Sequence, residues 1–371
     1  MADRGLEGVV VGKSAISYVD GKNGELTYRG YNIQDLAEKC TFEEVAYLIW
    51  YGNLPNRSEL KEMSKRLAAH RFGLTDAERL LGQFPKSAPP MSVLRTAISL
   101  LGMYDPRAES NAVETNLEMA FELTAQAAGI VANFHRMRVG GEIVPAEPGL
   151  SHAANFLHRM TGRIPEELHA RIFDNCLLLH MDHDFNASTY TARVTASTLS
   201  DIYSAITSAI GSLRGPLHGG ANTRVMIMLK EIGDPSNAEE YVKNLLAKKE
   251  RVMGFGHRIY KTVDPRAVVL RRWCHQLGEQ LGNAKWCDMQ SIIEEVMLKE
   301  KGLHANVDFY SASVYDMLGI PMDLFTPIFA MSRIVGWTAH VREQYAHNRL
   351  IRPSVNYTGL RNQPIPPIDE R

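Results

Sequence analysis

The chain has 371 residues, of which 45% are hydrophobic and 22% charged, and its 41 basic and 42 acidic side chains leave a net charge of −1. This composition is typical of a folded globular protein, and it excludes a mainly disordered chain, a collagen-like chain and a disulfide framework. The balanced charge argues against nucleic-acid binding, which needs a basic excess. The length predicts two domains, or one large domain with an insertion.

No targeting or membrane segment is recognisable. The start, MADRGLEGVV, lacks a basic stretch followed by a long apolar one, and no apolar run approaches the roughly 20 residues that cross a bilayer. The four cysteines form no C-x-x-C pair, the spacing expected of a zinc site or a redox pair; they are Cys40, Cys176, Cys274 and Cys287. We therefore expect a cytoplasmic protein with reduced thiols and no membrane partner.

The predicted elements begin with short strands and continue as helices. Residues 8–30 alternate apolar and polar positions around DGKNG, which predicts a β-hairpin. Thr41 and Glu44 predict a capping box, and the helix that they begin should end near Gly52. Apolar residues at helical spacing predict further helices, over 60–67, 91–101, 113–137, 165–180, 195–213, 221–232, 239–249, 265–282, 287–301, 309–318 and 324–344. The Pro-rich tail after residue 350 should be an extended arm.

The segment GPLHGG places His218 where the helical pattern breaks. Proline stops a helix, and paired glycines let backbone or ligand approach closely. The histidine is therefore either a helix-capping side chain or a functional group with little cover from its neighbours.

The segment VMGFGHRIYKTVDPRA combines a glycine loop, His257 and three cations, Arg258, Lys261 and Arg266. It is neither a dinucleotide-binding fingerprint nor a phosphate-binding P-loop, because the glycine spacing differs. Basic clusters are usually solvated, yet this combination suits a ligand that carries phosphate or carboxylate.

The segment LLLHMDHDFNAST is the most metal-like cluster of the chain, with two histidines and two aspartates at 180–184. It lacks the histidine pair four residues apart and the third ligand of a zinc helix, so anion binding by His183 is the favoured interpretation.

Three further charged residues are candidates. Asp308 precedes a predicted helix, so it is either an N-cap or, in its apolar setting, a general base. Arg333 interrupts an apolar helix and needs a partner, for which an anionic ligand is one candidate. Arg352 begins the tail, where a surface arginine is the plain expectation.

Taken together and in order, four segments resemble citrate synthase: LHMDHDFNAST, GPLHGGAN, VMGFGHRIYKTVDPRA and NVDFYSASVYDMLGIP. RGLEGVV and YRGYNIQDLA near the N-terminus also look like that family, and the likeness to its short bacterial and archaeal form covers nearly the whole chain. The resemblance implies an all-α citrate synthase fold with a short N-terminal β-hairpin. It implies a large domain over 1–220 and 320–371, a small domain over 221–319, and a homodimer with active sites in the clefts between domains.

The resemblance also implies an acyltransferase of the tricarboxylic acid cycle, which condenses acetyl-CoA with oxaloacetate and hydrolyses citryl-CoA to citrate and CoA. In it, His218 stabilises the enol of acetyl-CoA, Asp308 removes the methyl proton and His257 polarises the ketone of oxaloacetate. The implied oxaloacetate-binding residues are His183, His257, Arg266, Arg333 and, from the other subunit, Arg352. The implied CoA-binding residues are Arg251, Val252, Met253, Gly254, Phe255, Gly256 and Lys261. No metal or redox cofactor is required, since the CoA thioester is a substrate.

Three positions depart from the family pattern. Pro89 stands where a histidine is common, Thr223 where a glutamate is frequent, and DHD at 182–184 replaces DHE. None is a catalytic group, but the acyl preference stays open, since one methylene is worth roughly 1–3 kcal/mol in a pocket. The alternatives are a 2-methylcitrate synthase acting on propionyl-CoA with the same residues, a metal-dependent hydrolase centred on 180–184, and a non-catalytic helical oligomer.

Overall fold

The computed structural model describes residues 5–6, 8–71 and 76–371, and its regular structure is almost entirely helical, which confirms the predicted all-α class. One antiparallel sheet has the order β1–β2–β3 and is formed by β1 (Ser17–Asp20), β2 (Glu25–Tyr28) and β3 (Tyr31–Asn32). The helices of the described residues are α1 (Ile33–Lys39), α2 (Phe42–Tyr51), α3 (Arg57–Arg71), α4 (Asp76–Leu80), α5 (Pro90–Tyr104), α6 (Val113–Arg138), α7 (His152–Thr161), α8 (Glu167–His180), α9 (Ala187–Ser197), α10 (Ile202–Leu213), α11 (Ala221–Ile232), α12 (Ala238–Ala247), α13 (Pro265–Gln280), α14 (Lys285–Lys301), α15 (Val307–Met317) and α16 (Phe325–Ala346). None of these helices is long and apolar enough to span a bilayer.

The predicted hairpin and capping box are both confirmed. Strands β1 and β2 pair from Ser17 opposite Tyr28 to Asp20 opposite Glu25, so the turn lies at 21–24. The Thr41 side chain accepts a hydrogen bond from the Glu44 N–H while the Glu44 side chain accepts one from the Thr41 N–H, which satisfies two backbone donors at the start of α2.

The predicted single helix over 195–213 is wrong, because two helices, α9 and α10, cover this region. Helix α9 begins earlier, where the Asn186 side chain accepts a hydrogen bond from the Thr189 N–H. Leu199 then turns the chain with a φ of 64°, and Asp201 caps α10 by accepting from the Ser204 N–H. The caps therefore set the boundaries, and the apolar period alone does not show the break. Helices α1, α4 and α7 were not predicted.

Helix α16 is the centre of the molecule. It packs against α6, α8, α9 and α10, and its side chains are buried on nearly all sides from Phe325 to Val341. Most side chains in this buried stretch are apolar, as is typical of a helix in a protein core. Arg333 is buried among them with a charge that needs a partner, which indicates a function.

Helices α11 to α15 pack largely on one another, with contacts between α11 and α15, α13 and α15, and α12 and α14. Here the expectation of reduced thiols is wrong for one pair, since Cys274 of α13 and Cys287 of α14 form a disulfide across a Cα–Cα distance of 5.8 Å. Cys40 and Cys176 are free and buried. The chain from 348 onward is extended and exposed apart from one short 3-10 turn, as predicted.

Candidate active site

A cleft of about 910 Å³ lies where α9, α11, α15 and α16 meet the glycine-loop segment around residue 257. Seven of the predicted site residues line it together: His183, His218, Gly256, His257, Arg266, Asp308 and Arg333. They come from widely separated positions of the chain, so the fold and not the local sequence assembles them.

His218 is held by Ser188 in the first turn of α9. Its Nε2 accepts a hydrogen bond from the Ser188 N–H at 3.3 Å and lies 2.8 Å from the Ser188 Oγ. Because Nε2 accepts, the neutral ring carries its proton on Nδ1. Burial and the nearby charge of Arg333 lower the pKa of His218 to about 4. The residue is therefore a neutral donor at neutral pH, and it is not the N-cap of the next helix, which is Gly220.

His257 has the opposite tautomer to His218, and here too backbone N–H donors determine which nitrogen carries the proton. Its Nδ1 accepts hydrogen bonds from the Ile259 N–H at 3.1 Å and the Tyr260 N–H at 3.2 Å, so the neutral ring carries its proton on Nε2. Burial and the charge of Arg266 lower its pKa to about 4. A neutral N–H donor is thus available to an oxygen in the cleft.

Asp308 lies in the first turn of α15, where it is not the cap. The cap is Asn306, whose side chain accepts a hydrogen bond from the Asp308 N–H at 3.0 Å, so the N-cap interpretation of Asp308 is wrong. Its own Oδ1 is buried with no hydrogen-bond partner. Burial raises the pKa of Asp308 to about 7, which is the value that suits a general base at neutral pH.

Two arginines, Arg266 and Arg333, line the cleft beside the two histidines and Asp308. Arg266 donates to the Asp264 carboxylate from Nε at 3.0 Å and Nη2 at 2.8 Å. Arg333 donates from Nε to the His180 carbonyl at 2.6 Å and forms no ion pair with any described residue, although it is 1% exposed. A buried, unpaired guanidinium is costly unless an anion completes it, and here it faces an open cleft.

His183 lies next to these arginines, with its ring centroid 5.2 Å from that of His257. Burial lowers its pKa well below the ordinary value, so it is also neutral. His183 Nε2 lies 3.1 Å from the Tyr260 hydroxyl.

The residues of the loop 251–256 that were predicted to bind CoA divide into three groups. Gly256 lines the main cleft. Arg251 and Met253 line a second pocket of about 230 Å³, together with Arg224, Ile227, Met228, Glu231, Tyr241 and Leu245. The remaining loop residues are Val252, Gly254 and Phe255, which pack inward or pair with backbone. Gly254 has a φ of 83° and lies so close to the Phe309 side chain that a Cβ would overlap it.

Two further predicted residues, Lys261 and Arg352, also lie outside both cavities. The Lys261 side chain is exposed, with its Nζ 3.5 Å from the Arg258 carbonyl, and Arg352 is exposed on the tail. Within this chain the structure does not bring either of them to the cleft.

The metal-like cluster at 180–184 is partly engaged by protein partners, while His180 Nε2 and Asp182 Oδ1 are buried without a hydrogen bond. His180 Nδ1 lies 2.7 Å from the Cys176 carbonyl, and Asp182 accepts from Ser17 at 2.5 Å and contacts His340 at 3.2 Å. In the described part of the chain, one His and two Glu could share an ion elsewhere, namely His70, Glu118 and Glu122. Both glutamates already pair with arginines, Glu118 with Arg66 and Glu122 with Arg107.

Sequence reasoning missed Ser188, which sets the His218 tautomer, and Tyr260, which contacts both other histidines. No motif marks Ser188 as more than a helix residue after the Asn186 cap, because its role depends on a residue 30 positions away. Tyr260 stands three residues after His257 in the glycine-loop segment, so its contact with His257 could have been predicted from the sequence. Its contact with His183 could not, because His183 lies far away in the chain.

Comparison with known proteins assigns the family. A family model described as "Citrate synthase, C-terminal domain" matches residues 5–354. A citrate synthase from Haloferax volcanii is 51% identical over 99% of this chain and 98% of its own length. A 2-methylcitrate synthase from Shewanella oneidensis is 43% identical over 99% of this chain and 97% of its own. The comparisons thus favour citrate synthase over 2-methylcitrate synthase.

Solved structures agree over the full length. The crystal structure of citrate synthase from Thermotoga maritima superposes with a TM-score of 0.90 at 42% identity, covering 100% of this chain and 99% of that one. A citrate synthase from Thermoplasma acidophilum, solved as a ternary complex with carboxymethyl coenzyme A and oxaloacetate, has a TM-score of 0.92 at 32% identity over 99% and 98% of the two chains. The chain therefore belongs to the citrate synthase family and is an acyltransferase of that type.

Proposed function

We propose that this enzyme condenses acetyl-CoA with oxaloacetate in the cleft and hydrolyses the resulting citryl-CoA to citrate and CoA. The observation that carries the proposal is the convergence of one unpartnered carboxylate, Asp308, with two neutral histidine donors, His218 and His257. Such a set can remove a weakly acidic proton and stabilise two oxygens that gain charge, which is what joining a thioester to a ketone requires.

The first step is enolisation of acetyl-CoA. The Asp308 carboxylate takes a methyl proton, while the Nδ1–H of His218 donates to the thioester oxygen that becomes the enol oxygen. A donor placed at a developing oxyanion is worth about 3–4 kcal/mol, and the raised pKa of Asp308 makes its carboxylate a stronger base than an exposed aspartate.

The second step forms the carbon–carbon bond. The enol carbon attacks the ketone carbon of oxaloacetate, and the Nε2–H of His257 donates to the ketone oxygen as it gains charge. Arg266, Arg333 and His183 supply the contacts for the two carboxylates of oxaloacetate, because planar guanidinium groups bind carboxylates at two points. Water then cleaves the citryl thioester and releases CoA.

The second pocket supports CoA binding beside the loop 251–256. It combines the cations Arg224 and Arg251 with apolar side chains of Ile227, Met228 and Met253. That combination suits a nucleotide whose phosphates meet arginine and whose base packs on apolar groups. In this proposal Arg251 and Met253 contact CoA directly, while Val252, Gly254 and Phe255 shape the loop and Lys261 reaches the phosphates from outside.

The remaining expectations form part of the same proposal. Residues 221–319 act as a small domain that closes on the large domain over 1–220 and 320–371, which excludes water from the reaction. The enzyme works in the cytoplasm, in the tricarboxylic acid cycle, as a homodimer to which Arg352 contributes across the interface. It needs no metal or redox cofactor.

The direct test follows the absorbance of the thioester with purified protein. We expect rapid loss of acetyl-CoA that depends on oxaloacetate and does not respond to a chelator, and slower loss of propionyl-CoA. Faster turnover of propionyl-CoA would instead assign 2-methylcitrate synthesis. Dependence on a metal would favour the hydrolase alternative.

The same assay tests the roles of His218 and Asp308. The variants His218→Ala and Asp308→Ala should each lower kcat by about 10²–10³-fold, because each removes a group that acts at the transition state. Circular dichroism should show an unchanged fold. Unchanged turnover in either variant contradicts its assigned role, and loss of stability alone would favour the non-catalytic oligomer.

A further inference from the structure

The turn of the β1–β2 hairpin touches the segment that carries His257. The Gly21 carbonyl accepts a hydrogen bond from the Lys261 N–H at 2.8 Å. A Cβ at Gly21 would overlap the Ile259 carbonyl oxygen, and one at Gly24 would lie 2.8 Å from the Val263 carbonyl oxygen. Glycine is required at 21 because the two backbones are in direct contact.

The peptide that Gly21 contacts also orients His257. The Ile259 carbonyl and the Tyr260 N–H belong to one planar unit, and this N–H donates to His257 Nδ1 at 3.2 Å. The Ile259 N–H donates to the same nitrogen at 3.1 Å. A displacement of the Ile259 carbonyl therefore displaces a donor that keeps the His257 proton on Nε2.

The Tyr260 side chain extends the contact to His183. Its hydroxyl lies 3.1 Å from His183 Nε2, and its ring centroid lies 5.5 Å from that of His183 and 4.7 Å from that of His257. Tyr260 is 4% exposed and does not line the cleft. One residue outside the cleft thus supports two histidines inside it.

We propose that the turn 20–24 and Tyr260 form a positioning unit, the hairpin clamp, which holds His257 and His183 in the orientations that bind and polarise the ketoacid. The ketoacid is taken as oxaloacetate, so this inference rests on the proposed function. A misplacement of about 1 Å at such a donor can lower the rate by about 100-fold. The hairpin, remote in sequence from every site motif, is therefore part of what makes the site work.

The test uses Gly21→Ala, with Gly149→Ala as the matched control. A Cβ at Gly149 would have no heavy atom within 4 Å, and this residue has no positive φ, so its substitution should leave kcat at the unaltered value. Gly21→Ala should lower kcat by about 10- to 100-fold. The KM for acetyl-CoA should stay nearly constant, which a general loss of structure would not produce.

A spectroscopic measurement reports the hydrogen bond itself. The carbonyl carbon of [2-¹³C]oxaloacetate bound to the unaltered protein should move downfield in its NMR spectrum, because His257 polarises the ketone. Gly21→Ala should lose most of that shift. Tyr260→Phe should keep the shift but raise the Kd for oxaloacetate roughly 5- to 10-fold, the value of one hydrogen bond.

Should Gly21→Ala not fold, Asp20→Ala tests the same contact without adding atoms. The Asp20 carboxylate accepts from the Lys22 N–H at 2.8 Å and the Asn23 N–H at 3.0 Å, so its removal opens the turn and should also reduce the shift. A folded variant of the turn that keeps both the shift and kcat refutes the clamp. Absence of a shift in the unaltered protein saturated with oxaloacetate refutes polarisation of the ketone by His257 instead, and with it the proposed function.

Discussion

At the scale of single residues, the site depends on which ring nitrogen carries a proton. Backbone N–H groups donate to Nε2 of His218 and to Nδ1 of His257, so each ring turns its N–H toward the other side. Burial lowers the pKa of both rings to about 4. Both donors therefore stay neutral between pH 5 and 9. Two carboxyls of the cleft titrate in that range, Asp308 and also Asp184, whose pKa burial and the neighbouring Asp182 raise to about 6.

The pH dependence of kcat/KM should reflect Asp308. Burial raises its pKa to about 7, and the protonated acid cannot accept a proton, so kcat/KM should fall tenfold per pH unit below about 7 and level off above it. The measurement is kcat/KM for acetyl-CoA from pH 5 to 9. An acid limb centred near pH 4 would contradict the role of burial at this carboxyl.

Arg333 should matter for binding more than for folding. Arg333→Met should weaken oxaloacetate binding by about 2–5 kcal/mol, since a buried charge pair with the ligand is lost. The Tm of the ligand-free protein should change little, because removing an unpaired buried charge offsets the lost hydrogen bond. Calorimetric titration and thermal melts check both. Arg342→Met is the control on the same helix, where Arg342 donates to the Trp50 carbonyl, and unchanged affinity in Arg333→Met would contradict the assignment.

At the scale of elements, helix caps determine where the functional side chains lie. Asn186 begins α9 and so places Ser188 under His218, while Asn306 begins α15 and leaves the Asp308 carboxylate free. Asp264 caps α13, binds Arg266 and also accepts the Val307 N–H at 3.0 Å. Three caps therefore support three functional residues, and each cap both begins a helix and positions a side chain of the site.

A cap that lies far from the cleft allows the effect of capping on stability to be measured apart from its effect on the site. Thr41→Ala removes the capping box of α2 and should lower the free energy of unfolding by about 1 kcal/mol, with kcat unchanged because Thr41 does not line the cleft. Thr41→Ser keeps the hydroxyl and should behave like the unaltered protein. Chemical denaturation and the thioester assay measure the two quantities, and a fall in kcat would show that α2 is coupled to the site.

At the scale of the whole molecule, the tail is largely exposed on its own chain, to which the Ile351 N–H joins it by donating to the Ser197 Oγ at 3.0 Å. Residues after 350 are extended and almost wholly exposed, and Arg352 points to no site of its own subunit. An exposed arm with apolar side chains, such as Val355 and Ile365 at 85% exposure each, is suited to cover a second subunit.

Mixing two inactive variants tests whether Arg352 acts across the interface. Arg352→Ala and Asp308→Asn are each expected to be nearly inactive as homodimers. A mixed dimer has one intact site if Arg352 serves its partner, so remixing equal amounts after dissociation should restore up to about a quarter of the full activity. If Arg352 serves its own subunit, both sites of the mixed dimer carry a defect and no activity returns.

Local patterns in the sequence determined much of this protein. The hairpin at DGKNG, the Thr41 capping box and most long helices follow from turn residues, caps and apolar spacing, which act over a few residues. Seven site residues that line one cleft could be named in advance because the ordered motifs mark the family. Their spacing in the sequence does not show that they meet. The break between α9 and α10 escaped prediction because two capping residues overrode a continuous apolar pattern.

What the tertiary structure alone decided is the state of each functional group. The tautomer of His218 depends on Ser188, the tautomer of His257 on a peptide held by Gly21, and the basicity of Asp308 on burial. The pairing of Cys274 with Cys287 likewise needed two helices to be packed side by side. Proton positions and pKa values depend on neighbours and on exclusion of water, and both exist only once distant segments have come together.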